Sequence, residues 1–111
     1  TMPRTMTLDN ESYVLLPHHE YQELMARAHG IEMPAYPKPG RKGQRDAVQF
    51  GLVSISREIV TRRLAADLTQ EQLAVLAGVR VETISRLESA KHHPQQATLA
   101  RVDKALREAG A

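Results

Sequence analysis

The chain has 111 residues, a formal net charge of +2 and no cysteine, which suits one small domain with an appended module and excludes disulfides, thiolate catalysis and Cys-ligated zinc. The missing cysteines fit an intracellular, cytoplasmic compartment. No apolar run reaches the ~18 residues of a membrane span, and no basic-then-apolar start predicts export.

The charge is uneven. Residues 1–40 hold three basic and five acidic side chains, whereas residues 41–111 hold twelve and eight. A basic C-terminal part fits a polyanionic partner. Three parts follow: a strand-helix module over 1–30, a Pro/Gly-rich basic linker over 31–46, and a helical domain over 47–111.

In the first part, Tyr13-Val14-Leu15-Leu16 is a short apolar run of strand type. Pro17 suits the first turn of a helix, where its missing N–H costs nothing. Tyr21, Leu24, Met25 and Ala28 recur at helical spacing and predict one apolar face. Gly30 is the expected C′ residue. A lone strand leaves backbone groups unpaired, so its simplest partner is its copy in a second subunit. Tyr13, Val14, Leu15, Leu16, Tyr21, Leu24 and Met25 are therefore the expected dimerisation residues.

Pro34, Pro37, Pro39, Gly40 and Gly43 define the linker. Prolines remove donors and disfavour helix before them, so this stretch is expected to be extended and semi-rigid rather than packed. Arg41, Lys42 and Arg45 follow as solvated linker charges, or as an arm along DNA.

Four helices are expected in the third part. The first spans about 55–66, with Ser54 as N-cap and Ile55, Ile59, Val60 and Leu64 inward. The second spans about 70–77, with Thr69 and Gln72 in capping-box spacing and Gly78 as the turn. The third spans about 81–87. The fourth spans about 96–108 after Pro94, with Leu99, Val102 and Leu106 inward and Gly110 closing it. The fold class is thus mainly α, a four-helix domain behind a short strand-helix module.

The second and third of these helices carry the functional signal. Leu73, Ala74 and Leu76 are expected to pack the second helix, Val79 to plug the turn, and Ile84 and Leu87 to anchor the third. Arg80, Val81, Glu82, Ser85 and Arg86 then remain exposed. A helix held by one face and projecting the other fits a DNA major groove.

Thr69-Gln70-Glu71-Gln72-Leu73-Ala74, Gly78-Val79, Thr83-Ile84-Ser85-Arg86-Leu87-Glu88, Lys91, Pro94 and Thr98-Leu99 resemble the Cro/CI-type (XRE) helix-turn-helix family. The resemblance implies a DNA-binding regulator acting as a dimer on an inverted repeat. Gln70 would meet phosphate, and Arg80, Val81, Glu82 and Arg86 would face the bases, with Thr69 and Ser85 also among the DNA-binding residues. Arg86 suits guanine, Glu82 cytosine N4, and Val81 a thymine methyl. Lys91 would lie on the backbone, and Arg63 and Glu88 would form a mostly buried structural ion pair. Three departures stand out. Arg80 replaces the usual Ser or Thr cap, and Ala90 replaces a common glycine. The chain also stops short of a fifth helix that helps many relatives dimerise, which hands that role to the N-terminal module.

The segment from Ser12 to Leu24 looks like the strand and x-x-E-Y-x-x-L helix of Phd-like antitoxins. With an XRE domain behind it, the chain is similar to antitoxins of type II pairs. That implies a repressor of its own operon that neutralises a small RelE/ParE/HigB-like toxin. Two alternatives stay open: a phage-type or housekeeping repressor without a toxin, and a protein-binding module with no DNA role. No catalytic constellation is present, and His18, His19, His29, His92 and His93 lack metal-ligand spacing, so no enzyme activity, metal or cofactor is expected. His92 and His93 could carry charge near a phosphate.

Overall fold

The computed structural model describes residues 4–40, 43, 46–91 and 93–110. The elements are β1 (Arg4–Leu8), β2 (Glu11–Leu15), α1 (His18–Ala28), α2 (Ala47–Ala65), α3 (Gln70–Ala77), α4 (Val81–Glu88) and α5 (Gln96–Gly110). The architecture is mainly helical with a small N-terminal sheet. Among the described residues no helix is long and apolar enough to cross a membrane.

The strand expected to seek a second subunit finds a partner in its own chain. β1 and β2 pair antiparallel, with Met6 opposite Tyr13. Asp9 and Asn10 both take positive φ, 50° and 66°, as a two-residue type I′ turn requires. β1 escaped the sequence reading because Arg-Thr-Met-Thr-Leu has no continuous apolar run.

Pro17 caps α1. At the other end Gly30, φ +66°, lets the Ile31 N–H reach the Ala26 carbonyl at 2.8 Å, the Schellman closure expected of a C′ glycine. α1 packs on α2 by a face other than its apolar one. Gln22 and Ala26 are buried against α2, whereas Tyr21 and Leu24 stay exposed. Leu16 and Met25 are half-buried, and Ala28 is exposed.

The buried amide explains the rotation of α1. Gln22 Nε2 donates to Glu58 Oε2 at 3.3 Å, and Gln22 Oε1 accepts from Arg57 Nε at 3.4 Å. Arg57 is 5% exposed, so burying it requires partners on every side. Its Nη1 donates to the Pro34 carbonyl at 3.1 Å, its Nη2 to Glu23 at 3.4 Å, and its guanidinium lies 5.0 Å from the Tyr36 ring centroid. Tyr36 in turn stacks on Phe50 at 4.6 Å. Residues 31–37 are therefore packed onto α1 and α2, which corrects the expectation of an unpacked linker. Arg41, Lys42 and Arg45 lie outside the described residues.

α2 begins eight residues before the predicted start. Asp46 is its N-cap, accepting from the N–H groups of Val48 and Gln49 at 3.1 Å each. Ser54 lies inside the helix and caps nothing. Val53, Ile59, Val60 and Leu64 are buried, but Ile55 is 36% exposed on an open apolar groove between α2 and α5.

The core joins Ile59 of α2, Leu73, Ala74 and Ala77 of α3, Ile84 and Leu87 of α4, and Val102, Ala105 and Leu106 of α5. Leu68, Val79, Val81 and Leu99 pack around its rim. Leu76, expected in the core, is 56% exposed; Ala77 occupies its place. With only eight residues in α3, one step of about 100° decides which side chain points inward.

Candidate nucleic-acid interface

The helix pair α3–α4 is positioned by its ends. Thr69 Oγ1 accepts from the Gln72 N–H at 3.0 Å, and Gln72 Oε1 accepts from the Thr69 N–H at 2.9 Å. This capping box starts α3 at the predicted residue. Gly78, φ +69°, ends it, and the Val79 N–H returns to the Ala74 carbonyl at 3.0 Å. The chain then enters α4 through Arg80, whose extended backbone forms an N-cap without a side-chain hydrogen bond.

A buried polar network holds the pair to α2. Arg63 Nε donates to Glu88 Oε2 at 2.7 Å and Arg63 Nη2 to Glu88 Oε1 at 3.0 Å. The third guanidinium nitrogen donates to the Leu68 carbonyl at 2.8 Å. Gln70 Nε2 adds a bond to Glu88 Oε1 at 3.0 Å. The Ser56 hydroxyl donates to the Leu87 carbonyl beside this pair. α4 is therefore locked from its C-terminal end by α2 and α3 together. Among the described residues no buried side-chain polar atom lacks a partner.

What α4 leaves outward is Arg80, Glu82, Ser85 and Arg86. The spacing of 82, 85 and 86 puts them on one face, opposite Ile84 and Leu87. Val81 departs from expectation: it is half-buried and packs on the core rim. Gln70 also departs, because its amide is engaged with Glu88 rather than turned wholly outward. Thr69 and Lys91 are exposed. Ala90 takes φ +57°, so alanine stands in the left-handed turn where glycine is common. That conformation costs a non-glycine residue about 1–2 kcal/mol.

Thr83, Arg86, His93 and Thr98 line one shallow pocket of about 280 Å³. No periodicity could have joined them, since they come from α4, the following loop and α5. His92 lies outside the described residues.

Across the α2–α5 side, Arg62 Nη1 donates to Asp103 Oδ1 at 2.9 Å and Arg107 Nε meets Asp103 Oδ2 at 3.0 Å. The Arg62 hydrogen bond, with Arg107 beside it, holds the Asp103 carboxyl below the usual carboxylate range.

The arrangement is a rigid, two-helix unit that presents a charged face of mixed sign and hydrogen-bonding capacity. Cations and amide or hydroxyl groups on one exposed helix face suit base edges and phosphates. No curated protein and no solved structure matches the chain. A family model described as helix-turn-helix matches residues 59–109. That match spans the end of α2 through α5 and supports the XRE-type helix-turn-helix family, and with it a DNA-binding transcription regulator.

Proposed function

We propose that the protein is a sequence-specific repressor that binds an inverted repeat as a dimer, with α4 of each copy in a major groove. The observation that carries this reading is the lock at the root of α4. Arg63, Glu88 and Gln70 are joined by bonds of 2.7–3.0 Å, while Arg80, Glu82, Ser85 and Arg86 project from the opposite side. A reading helix needs that combination of a fixed root and a free face, because misplacement blurs discrimination between bases. Arg86 reads guanine, Glu82 accepts from cytosine N4, and Arg80, Ser85 and Lys91 extend the contact to base edges and backbone. Val81 adds only the part of its side chain that remains outside the core. Thr69 and Gln70 bring the start of α3 to a phosphate, where helix N-termini favour anions. Two copies would place their α4 helices roughly 34 Å apart.

The N-terminal module, residues 1–30, serves contacts with other chains, and the helical unit from residue 47 serves DNA. The chain is then an antitoxin that represses its own operon and neutralises a small RelE/ParE/HigB-like toxin. The exposed Tyr21 and Leu24 on α1 support that part, since apolar side chains left outside a helix packing are what a protein partner covers.

Fluorescence anisotropy tests the DNA reading. The probe is duplex from upstream of the protein's own gene, compared with a scrambled duplex over a salt series. Tight binding to the first alone, weakening steeply with salt, is the expected result. Equal, weak binding to both would count against it. Co-purification with the product of the adjacent gene tests the toxin part.

A further inference from the structure

Among the described elements the hairpin is the least covered. Every residue of β1 and β2 is exposed, including Met6 at 43%, Leu8 at 54%, Tyr13 at 45% and Leu15 at 47%. Two short strands with both faces in water are marginal by themselves and need a further layer or further strands.

The register shows what kind of partner the hairpin suits. Opposed residues share a face, so Arg4, Met6, Leu8, Glu11, Tyr13 and Leu15 lie on one side. The other side carries Thr5, Thr7, Ser12 and Val14. The first face is thus an apolar patch of four side chains with a cation at one end and an anion at the other. With a two-residue turn, the pairs 8/11, 6/13 and 4/15 are the hydrogen-bonded ones. Ser12 and Val14 therefore turn their backbone groups to the open edge of β2.

We propose that a second copy of this chain completes the sheet, β2 against β2, about a two-fold axis at Tyr13. The proposal rests on the dimeric reading above and names its surface. Ser12 of each copy then exchanges backbone bonds with Val14 of the other, and all five residues of β2 are paired. A two-fold axis perpendicular to the sheet keeps like faces together, so eight apolar side chains form one continuous patch.

Charge complementarity distinguishes this occupant from others. Glu11 falls opposite Leu15 of the second copy, and Arg4 of that copy lies one strand beyond. Two strand spacings, about 10 Å between backbones, are within the joint reach of these long side chains. Inside one chain the same two residues sit at opposite ends of the hairpin, about 13 Å apart along the strands. The acidic end of one hairpin thus meets the basic end of its copy, twice per dimer.

The test uses the full chain without DNA, by sedimentation. Wild type is expected to dimerise. Arg4→Glu and Glu11→Arg, each alone, create two like-charge contacts per dimer and should raise the dimer Kd by about tenfold each. An equimolar mixture of the two variants restores both contacts and should form a heterodimer of near wild-type affinity. That rescue also shows that both variants are folded. A monomeric wild type overturns the proposal and leaves the hairpin to a different protein. Variants that dimerise as wild type does also overturn it and move the interface elsewhere, such as the α2–α5 groove. Since no DNA is present, failure of DNA recognition would leave this result standing, and failure of the dimer would not be mistaken for it.

Discussion

Arg63 and Glu88 form a two-point ion pair, Nε to Oε2 at 2.7 Å and Nη2 to Oε1 at 3.0 Å, with side chains only 7% and 6% exposed. The pair joins α2 to α4 across 25 residues of sequence. Glu88→Ala leaves the guanidinium buried without its carboxylate and should cost about 3–5 kcal/mol. Arg63→Met combined with Glu88→Leu should recover most of that, because it removes both desolvated charges. Urea unfolding of the two variants against the parent checks this; a loss below about 1 kcal/mol for Glu88→Ala would mark the pair as solvated.

Helix starts separate two threonine- and serine-based expectations. Thr69 caps α3 with a bond of 3.0 Å, so Thr69→Ala should lose about 1 kcal/mol. Ser54 lies inside α2 and caps nothing, so Ser54→Ala should stay within about 0.5 kcal/mol of the parent. Thermal melts of both proteins make the comparison.

Arg57 fastens residues 34–36 to the helices. Arg57→Ala leaves Gln22 Oε1 and the Pro34 carbonyl without this donor, at about 1–3 kcal/mol for each that stays buried. It also frees Tyr36 from its cation. Chymotrypsin cleavage after Tyr36 should then accelerate under native conditions, whereas an unchanged rate would mean that the Tyr36–Phe50 stack alone holds the segment.

Two cations test the DNA reading differently. Arg86→Ala should weaken binding by about 1–3 kcal/mol and relax the preference at one base pair. Lys91→Ala should weaken all duplexes alike and reduce the salt slope by about one. Anisotropy with single-base operator variants separates the two outcomes.

Asp103 predicts a small acid limb in stability. Its folded-state carboxyl is held low by the Arg62 hydrogen bond and by Arg107. A depressed carboxylate contributes stability above its unfolded value, and loses that contribution as pH falls through the folded one. The side chain is about half exposed, so the contribution is modest. Asp103→Asn should flatten that part of the stability curve below the ordinary value of 3.8 and lower stability slightly at neutral pH. Denaturant midpoints from neutral pH down to about pH 3 measure it, across the ordinary carboxylate range.

Local chemistry made much of the helical unit legible. Thr69 and Gln72 at capping-box spacing, Gly78 after an apolar run, and Ile84 with Leu87 three apart are all signals within one turn or two. Each appears in the structure as read. The failures share a cause. Ser54 resembles a cap because a serine precedes an apolar run, yet Asp46 starts the helix eight residues earlier, its carboxylate accepting from the N–H groups of Val48 and Gln49. Leu76 looked like core because leucine usually is, and α3 is too short for periodicity to outvote composition.

What the sequence determined by itself is the order of the helices, the capping box and closing turn of α3, and the outward set on α4 apart from Val81, because these depend on neighbours within a few residues. The tertiary structure decided which face of α1 is buried, that residues 31–37 pack, and that β2 pairs within its own chain. Each depends on partners 9 to 36 residues away: Gln22 on Glu58, Arg57 on Pro34, Val14 on Thr5. A buried polar side chain goes where it can be satisfied, and the desolvation cost of leaving Arg57 or Gln22 unpaired outweighs the modest gain from turning Tyr21 and Leu24 inward.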